Sequence, residues 1–498
     1  MLSHSAPRPL FKAVVSTLSL ACSVHAAAPL RAQTDVRALE PGVSVERELA
    51  GDETHAYRVS LAAGQYLSVA VNQRGVDVLL KLTGPDGRPL AEVNNQQNVI
   101  EVERLALVAE EAGDYQLEVR AAVKAAPAGR YELRVEALRD STPEERARLA
   151  AEKLYAEAEQ LRQQATAEAA KRALEKFAQA LPLWREVGDR RREAQTLYSL
   201  GMVYGQLGEN YKALEHYLQA LPVYRAAGNR RGEAYTLDRI GGTYSYLGDM
   251  RKALDYLNQA LSMLEAIDDR LGQAVVLRDI GGVYSDVGEY EKSLDYNGRA
   301  LVLARAMTDR RGESIVLNNF GVNYERLGEH QKALEYYGQS LPISREAGDR
   351  EGEAITLNNI GEINRLLGDP HKALEYFNQS HGILQSVGYS FAGPIVISNI
   401  GRVYEMLGEY QKALEYLEQA LALSRSTKNR PAEAITLSKI GAVYEKTGEG
   451  RKALDYYGQA LVLFRAVDDR QRESETLRSL GDVSRSAGEA GKALEYYE

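Results

Sequence analysis

Asparagines recur at one register of this chain where asparagine is a poor choice. Asn318, Asn319, Asn358, Asn359 and Asn399 lie in a stretch of helical periodicity, and an asparagine inside a helix competes for the backbone's own hydrogen bonds. A carboxamide carries donors and acceptors, so a row of them on adjacent helices suits the backbone of an extended polypeptide. Arg326, Arg365 and Arg402 fall in the same row and offer guanidinium forks for carboxylates. Glu325, Glu362 and Glu405 are the acids among them. Hydrogen bonding between helices, or a solvated face, is the competing account of the same residues. No constellation for covalent or hydrolytic chemistry accompanies them. The chain has no G-x-x-x-x-G-K-[ST], no G-x-S-x-G and no H-E-x-x-H, the motifs of phosphate cradles, nucleophilic serines and catalytic zinc. His4, His25, His55, His216, His330, His371 and His381 are scattered without ligand spacing. The residues point to binding without catalysis, and to no metal or other cofactor.

What must position these side chains is a repeat of 40 residues. Gly201, Gly241, Gly281, Gly321, Gly361, Gly401, Gly441 and Gly481 fall in register. A second series, Gly208, Gly248, Gly288, Gly328, Gly368, Gly408, Gly448 and Gly488, is followed each time by Glu or Asp. Lys-Ala-Leu then recurs at 212–214, 252–254, 332–334, 372–374, 412–414, 452–454 and 492–494, with Lys292-Ser293-Leu294 as the variant. Leu237, Ile240, Gly241 and Tyr244 share one helical face. Gly241 admits a close partner helix, Gly248-Asp249 turns the chain, and Ala253 and Leu254 open the packing face of a second helix. Tyr217, Tyr337, Phe377 and Tyr457 are expected to plug the next groove. The Gly-Asp/Asn-Arg sequences at 188–190, 228–230 and 348–350 end one helix and cap the next. Position in the repeat thus accounts for most of the 30 tyrosines.

The pattern Leu-x-x-Ile-Gly-x-x-Tyr…Gly-Glu…Lys-Ala-Leu…Tyr…Gln-Ala-Leu is similar to the tetratricopeptide signature, in its longer-repeat branch. The resemblance implies a mainly α fold, a right-handed α-solenoid of helical hairpins over 171–498, whose first helices line a concave face that binds a peptide or protein. The residues placed on that face are Asn318, Asn319, Arg326, Asn358, Asn359, Glu362, Arg365, Asn399 and Arg402. Residues 142–170 form a helical linker or a degenerate first helix, which Thr142-Pro143-Glu144-Glu145 starts well. The pattern breaks at 381–394, where His381-Gly382, Tyr389-Ser390 and Gly393-Pro394 depart from it, as a decayed repeat, a hinge or a ligand-specific loop.

Between 34 and 140 the texture is alternation interrupted by turns. Ala56–Leu61, Tyr66–Val71, Asp77–Leu82, Tyr115–Val119 and Tyr131–Val135 read as strands, and Gly84-Pro85-Asp86-Gly87 is a strong turn. Six to eight such strands make a small antiparallel β-sandwich. Leu39-Glu40-Pro41-Gly42, Ala63-Gly64-Gln65-Tyr66-Leu67, Pro85-Asp86-Gly87, Ala112-Gly113-Asp114-Tyr115 and Gly129-Arg130-Tyr131 resemble the bacterial pre-peptidase C-terminal domain across 35–138. That resemblance implies a jelly-roll-like accessory module of exported proteins. Asp77, Asp86 and Asp114 are candidate calcium ligands, although aspartates in turns usually bond their own backbone.

Residues 1–28 read as a signal peptide, with basic Arg8 and Lys12, an apolar Ala13–Val24 and small-residue cleavage sites around Ala26 and Ala28. The expectation is export, to the periplasm or outside the cell. Ser19-Leu20-Ala21-Cys22 loosely resembles a lipobox, so anchoring through Cys22 is the less favoured alternative, and a cytoplasmic adaptor with a misread leader is another. The apolar run is too short to span a bilayer. A net charge of −9 argues against nucleic acid as a partner, and nothing fixes an oligomeric state. The chain stops midway through a second helix at Glu498. Its architecture resembles the front half of bacterial CHAT-domain proteins, which implies an alternative role as the regulatory or substrate-recognition region of a caspase-like peptidase.

Overall fold

The computed structural model describes residues 36–94, 102–123, 127–164, 166–388, 392–467 and 469–498. The leader with Cys22, and Tyr389 and Ser390 of the repeat break, lie outside them. The chain divides into two compact units, one ending at Thr142 and one running Pro143–Glu498.

In the first unit the alternation of the sequence becomes alternate burial. Along Thr54–Leu61, Tyr57, Val59 and Leu61 are buried while Arg58 and Ser60 face solvent. The strands are β1 (Arg37–Ala38), β2 (Ser44–Leu49), β3 (Thr54–Leu61), β4 (Gln65–Arg74) and β5 (Val78–Thr83). After them come β6 (Pro89–Val93), β7 (Val102–Val108), β8 (Gly113–Ala121) and β9 (Gly129–Asp140). They form two sheets in the orders β1-β3-β8-β5-β6 and β2-β9-β4-β7, and the interleaving of β2 to β9 is that of a jelly roll. The sandwich is not wholly antiparallel, because β1 joins the edge of its sheet parallel to β3. Tyr57 and Tyr131 are fully buried. Their hydroxyls, 2.5 Å apart, and Nδ1 of His55, 2.7 Å from Tyr131, satisfy one another where water is absent. Of the candidate calcium ligands, Asp86 accepts from the backbone N–H of Arg88 and Asp114 from the Ser60 hydroxyl, while Oδ1 of Asp77 is buried without a hydrogen-bond partner. Among the described residues no three acids, histidines or cysteines gather as a metal site.

The second unit is a run of helical hairpins. They are α1 (Pro143–Gln163) with α2 (Ala167–Val187), α3 (Arg190–Gln206) with α4 (Asn210–Ala226), and α5 (Arg230–Tyr246) with α6 (Met250–Ala266). Next come α7 (Arg270–Asp286) with α8 (Tyr290–Ala306), α9 (Arg310–Arg326) with α10 (His330–Glu346), and α11 (Arg350–Leu366) with α12 (Pro370–Val387). The last are α13 (Gly393–Met406) with α14 (Tyr410–Ser426), α15 (Arg430–Lys446) with α16 (Gly450–Ala466), and α17 (Arg470–Ser486) with α18 (Ala490–Tyr497). Each hairpin packs on the next. No described helix is long and apolar enough to cross a membrane.

The repeat positions do their work inside the hairpin. A Cβ on Gly201, Gly321, Gly361 or Gly441 would land on the ring of Tyr217, Tyr337, Phe377 or Tyr457. The rings therefore plug the glycine notch of their own hairpin and also pack on the next, as the sequence suggests: Tyr217 clusters with Leu237 and Ile240, Tyr337 with Ile360 and Ile363, Phe377 with Ile400 and Val403, and Tyr457 with Leu480 and Val483. Leu257 and Leu417 fill the notches of Gly241 and Gly401, and a buried Asn297 fills that of Gly281. Between hairpins, Gly188 turns with φ 73° and Asp189 caps α3 by accepting from the Arg192 N–H at 3.0 Å. Arg185–Glu193, Arg305–Glu313 and Arg345–Glu353 repeat one strut, each at 2.8 Å, from a second helix to the following first helix.

Candidate functional site

Successive first helices touch one another from α5 through α15, whereas no comparably extensive contact joins successive second helices among the described residues. The first helices are therefore the crowded, inner side of the stack. Their inner residues are tied across repeats by side chains 38 to 41 positions apart.

Four of the five asparagines form one directed chain. Lys439 Nζ donates to Asn399 Oδ1 (3.3 Å) and to Ser398 Oγ (3.0 Å). Asn399 Nδ2 donates to Asn358 Oδ1 (3.0 Å), Asn358 Nδ2 to Asn359 Oδ1 (3.3 Å), and Asn359 Nδ2 to Asn318 Oδ1 (3.1 Å). The Thr356 hydroxyl also donates to Asn318 Oδ1, at 3.4 Å. In its ammonium form Lys439 only donates, and in that form it fixes the orientation of the carboxamides in turn. Each has capacity left, since a carboxamide offers two N–H groups and two lone pairs. Asn319 turns elsewhere, donating to buried Asn297 at 3.3 Å.

A cluster of charges flanks the chain. Arg365 holds Glu362 through two nitrogens at 2.8 and 2.7 Å, and Arg402 reaches the same carboxylate at 3.2 Å. Glu405 pairs with Lys446 at 2.7 Å, and Glu325 accepts from the hydroxyl of Tyr337 at 2.9 Å. Burial, then the nearby guanidiniums of Arg402 and Arg365, pull the Lys439 ammonium down to about 7. Arg326 stands outside this cluster: it donates to the Ser285 carbonyl (2.7 Å) and pairs with Asp286 (3.3 Å) at the end of α7. On the other flank, one helical turn before the amides, lie Ile315, Ile355, Ile395 and Ile435. Ile355 and Ile395 are 37% and 44% exposed.

Lys439, Thr356 and the isoleucines are absent from the residues predicted by sequence. Lys439 was within reach, because it occupies the register of Asn319, Asn359 and Asn399 one repeat further on. The region thus presents an apolar lane, an amide lane and a charged lane side by side.

Helical hairpins with this notch, turn and strut define an array of protein-binding repeats. The chain belongs to the tetratricopeptide repeat family, whose model matches residues 166–226, 193–266, 232–306, 272–346, 312–386, 394–466 and 432–498. No curated protein matches it. Among solved structures, it is similar to the apo form of the quorum sensor NprR from B. thuringiensis. That likeness has 15% identity and a TM-score of 0.47, covering 72% of this chain and 98% of the other. Another is a signal-transduction ATPase with a tetratricopeptide repeat sensor from Pyrococcus horikoshii (17% identity, TM-score 0.46, 66% and 52% covered). A third is aspartyl phosphate phosphatase F from Bacillus subtilis (13% identity, TM-score 0.46, 72% and 93% covered).

Proposed function

We propose that this chain is an exported, non-catalytic scaffold that holds an extended segment of another polypeptide along α9, α11 and α13. The directed amide chain from Lys439 to Asn318 is the observation that carries it. Carboxamides already oriented by one another lose little freedom on meeting a ligand backbone, which lowers the cost of binding. The isoleucine lane supports apolar side chains on one edge of that segment, and Arg365, Arg402 and Glu362 support charged ones on the other. The basic and apolar leader supports export, and the jelly-roll strand order supports an accessory role for the first unit.

The test is selection from a random dodecapeptide display library on the immobilised full chain. Peptides should be enriched, and the double substitution Asn358→Leu/Asn399→Leu should weaken them by about tenfold or more, the equivalent of ~1.4 kcal/mol. Substitution of Val302, 68% exposed on second helix α8, by Asp should leave them unchanged. No enrichment, or equal loss in both variants, would sink the proposal.

A further inference from the structure

At the start of the array α1, α3 and α5 line an open cleft of about 590 Å³, well within the size range of small-ligand sites. Tyr155, Tyr198 and Tyr235 line it together with the thioether of Met202, and Arg162, Arg191 and Arg231 supply most of its charge. The aromatic lining belongs to this end alone. One repeat length at a time, Tyr198 becomes Asp238, Arg278 and Asn318, and Tyr235 becomes Val275, Ile315 and Ile355.

The acids here are already engaged by the protein. Glu159 accepts from the Ser199 hydroxyl at 2.7 Å, from Arg162 Nε at 2.8 Å and from the Tyr155 hydroxyl at 3.3 Å. Asp269 accepts from Arg231 Nε at 2.8 Å and from the Tyr235 hydroxyl at 3.1 Å. With Tyr224 the cleft has four lining phenols, and two of them, Tyr155 and Tyr235, thereby direct their protons at internal acids and leave mainly ring faces for a ligand. Arg191, in the first turn of α3, has no hydrogen-bond or ion-pair partner among the described residues. A cleft whose acids are satisfied and whose guanidinium is open takes its missing acceptor from the ligand, and walls of tyrosine and methionine suit a flat ring.

We infer that this cleft binds an aromatic carboxylate, with its ring against the tyrosines and its carboxylate on Arg191. That chemistry has two sources, a free aromatic acid or the aromatic C-terminal residue of a polypeptide. The site does not depend on the amide lane, and each stands or falls separately.

Ligand-observed NMR titration of the full chain with N-acetyl-phenylalanine, N-acetyl-phenylalaninamide and N-acetyl-alanine tests it. The acid should bind about tenfold more tightly than its amide, and N-acetyl-alanine should show no saturation transfer. Arg191→Gln should abolish the preference for acid over amide, while Asn358→Leu should leave it intact. Phenylacetate binding as tightly as N-acetyl-phenylalanine identifies a free aromatic acid as the source, and a clear preference for the acylated residue identifies a chain terminus. Equal affinity for acid and amide, no binding of the acid, or an unchanged preference in Arg191→Gln would overturn the inference.

Discussion

An ammonium only donates, and in that form Lys439 orients the amides that follow it back to Asn318. Two repeats earlier the same register carries charges instead. Asp238 is 1% exposed, and neither of its carboxylate oxygens receives a hydrogen bond. Arg239 approaches it at 3.5 Å, while Asp279 faces it from α7 with Arg278 bonded to that second acid at 2.8 Å. Burial, then the Asp279 charge, raise the Asp238 carboxyl to about 7 against the pull of Arg239 and Arg278. The folded state therefore keeps this proton at a pH where the unfolded chain releases it, so stability is lost as pH rises from the ordinary carboxylate range through about 7. Asp238→Asn escapes that loss. Its melting temperature should exceed that of the parent by a margin that grows between about pH 4 and pH 7.5 and then levels off. A margin independent of pH would show that the carboxyl is ionised in the fold.

At the scale of the hairpin, glycine serves two purposes that can be separated. In the notch of α9, a Cβ on Gly321 would collide with the ring of Tyr337, so Gly321→Ala should destabilise by about 1–3 kcal/mol in urea unfolding. On the exposed side of α5 a Cβ on Gly242 would meet nothing within 4 Å, and Gly242→Ala should stabilise by about 0.5–1 kcal/mol. Between hairpins, Gly188, Gly228 and Gly348 adopt positive φ, but the equivalent Thr308 is held at φ 56°. A β-branched side chain is strained there, so Thr308→Gly should stabilise by about 1 kcal/mol. A loss of stability in that variant would show that the Thr308 side chain contributes more than its backbone costs. These elements were legible in the sequence because a fixed period repeats the same steric demands at Gly201, Gly321 and Gly441. That one ring serves two hairpins was only half legible: the groove of the next is filled as the spacing suggests, but the contact of Tyr217 with Gly201 of its own hairpin emerges only from the packing.

Over the whole array, stability arises from neighbour-to-neighbour contacts, and so does the connected row on which the proposed recognition rests. The row from Asn318 to Arg402 could be read from composition and period. Its division into a connected chain, a side branch at Asn319 and a separate pairing at Arg326 could not. Those outcomes turn on distances of about 3 Å across helix interfaces, and no linear pattern encodes them. The cleft at α1, α3 and α5 escaped notice for a related reason: Tyr155 and Arg162 lie in α1, a first helix without the repeat's signature residues. Photo-crosslinking decides whether a peptide lies along the inner first helices. A library-selected peptide carrying benzoylphenylalanine would be crosslinked to the full chain and the adducts mapped by mass spectrometry. Adducts are expected within 310–326, 350–366 and 393–406, around Ile355 and Ile395. Adducts concentrated on α8, α10, α12 or α14, or spread evenly over the chain, would contradict it.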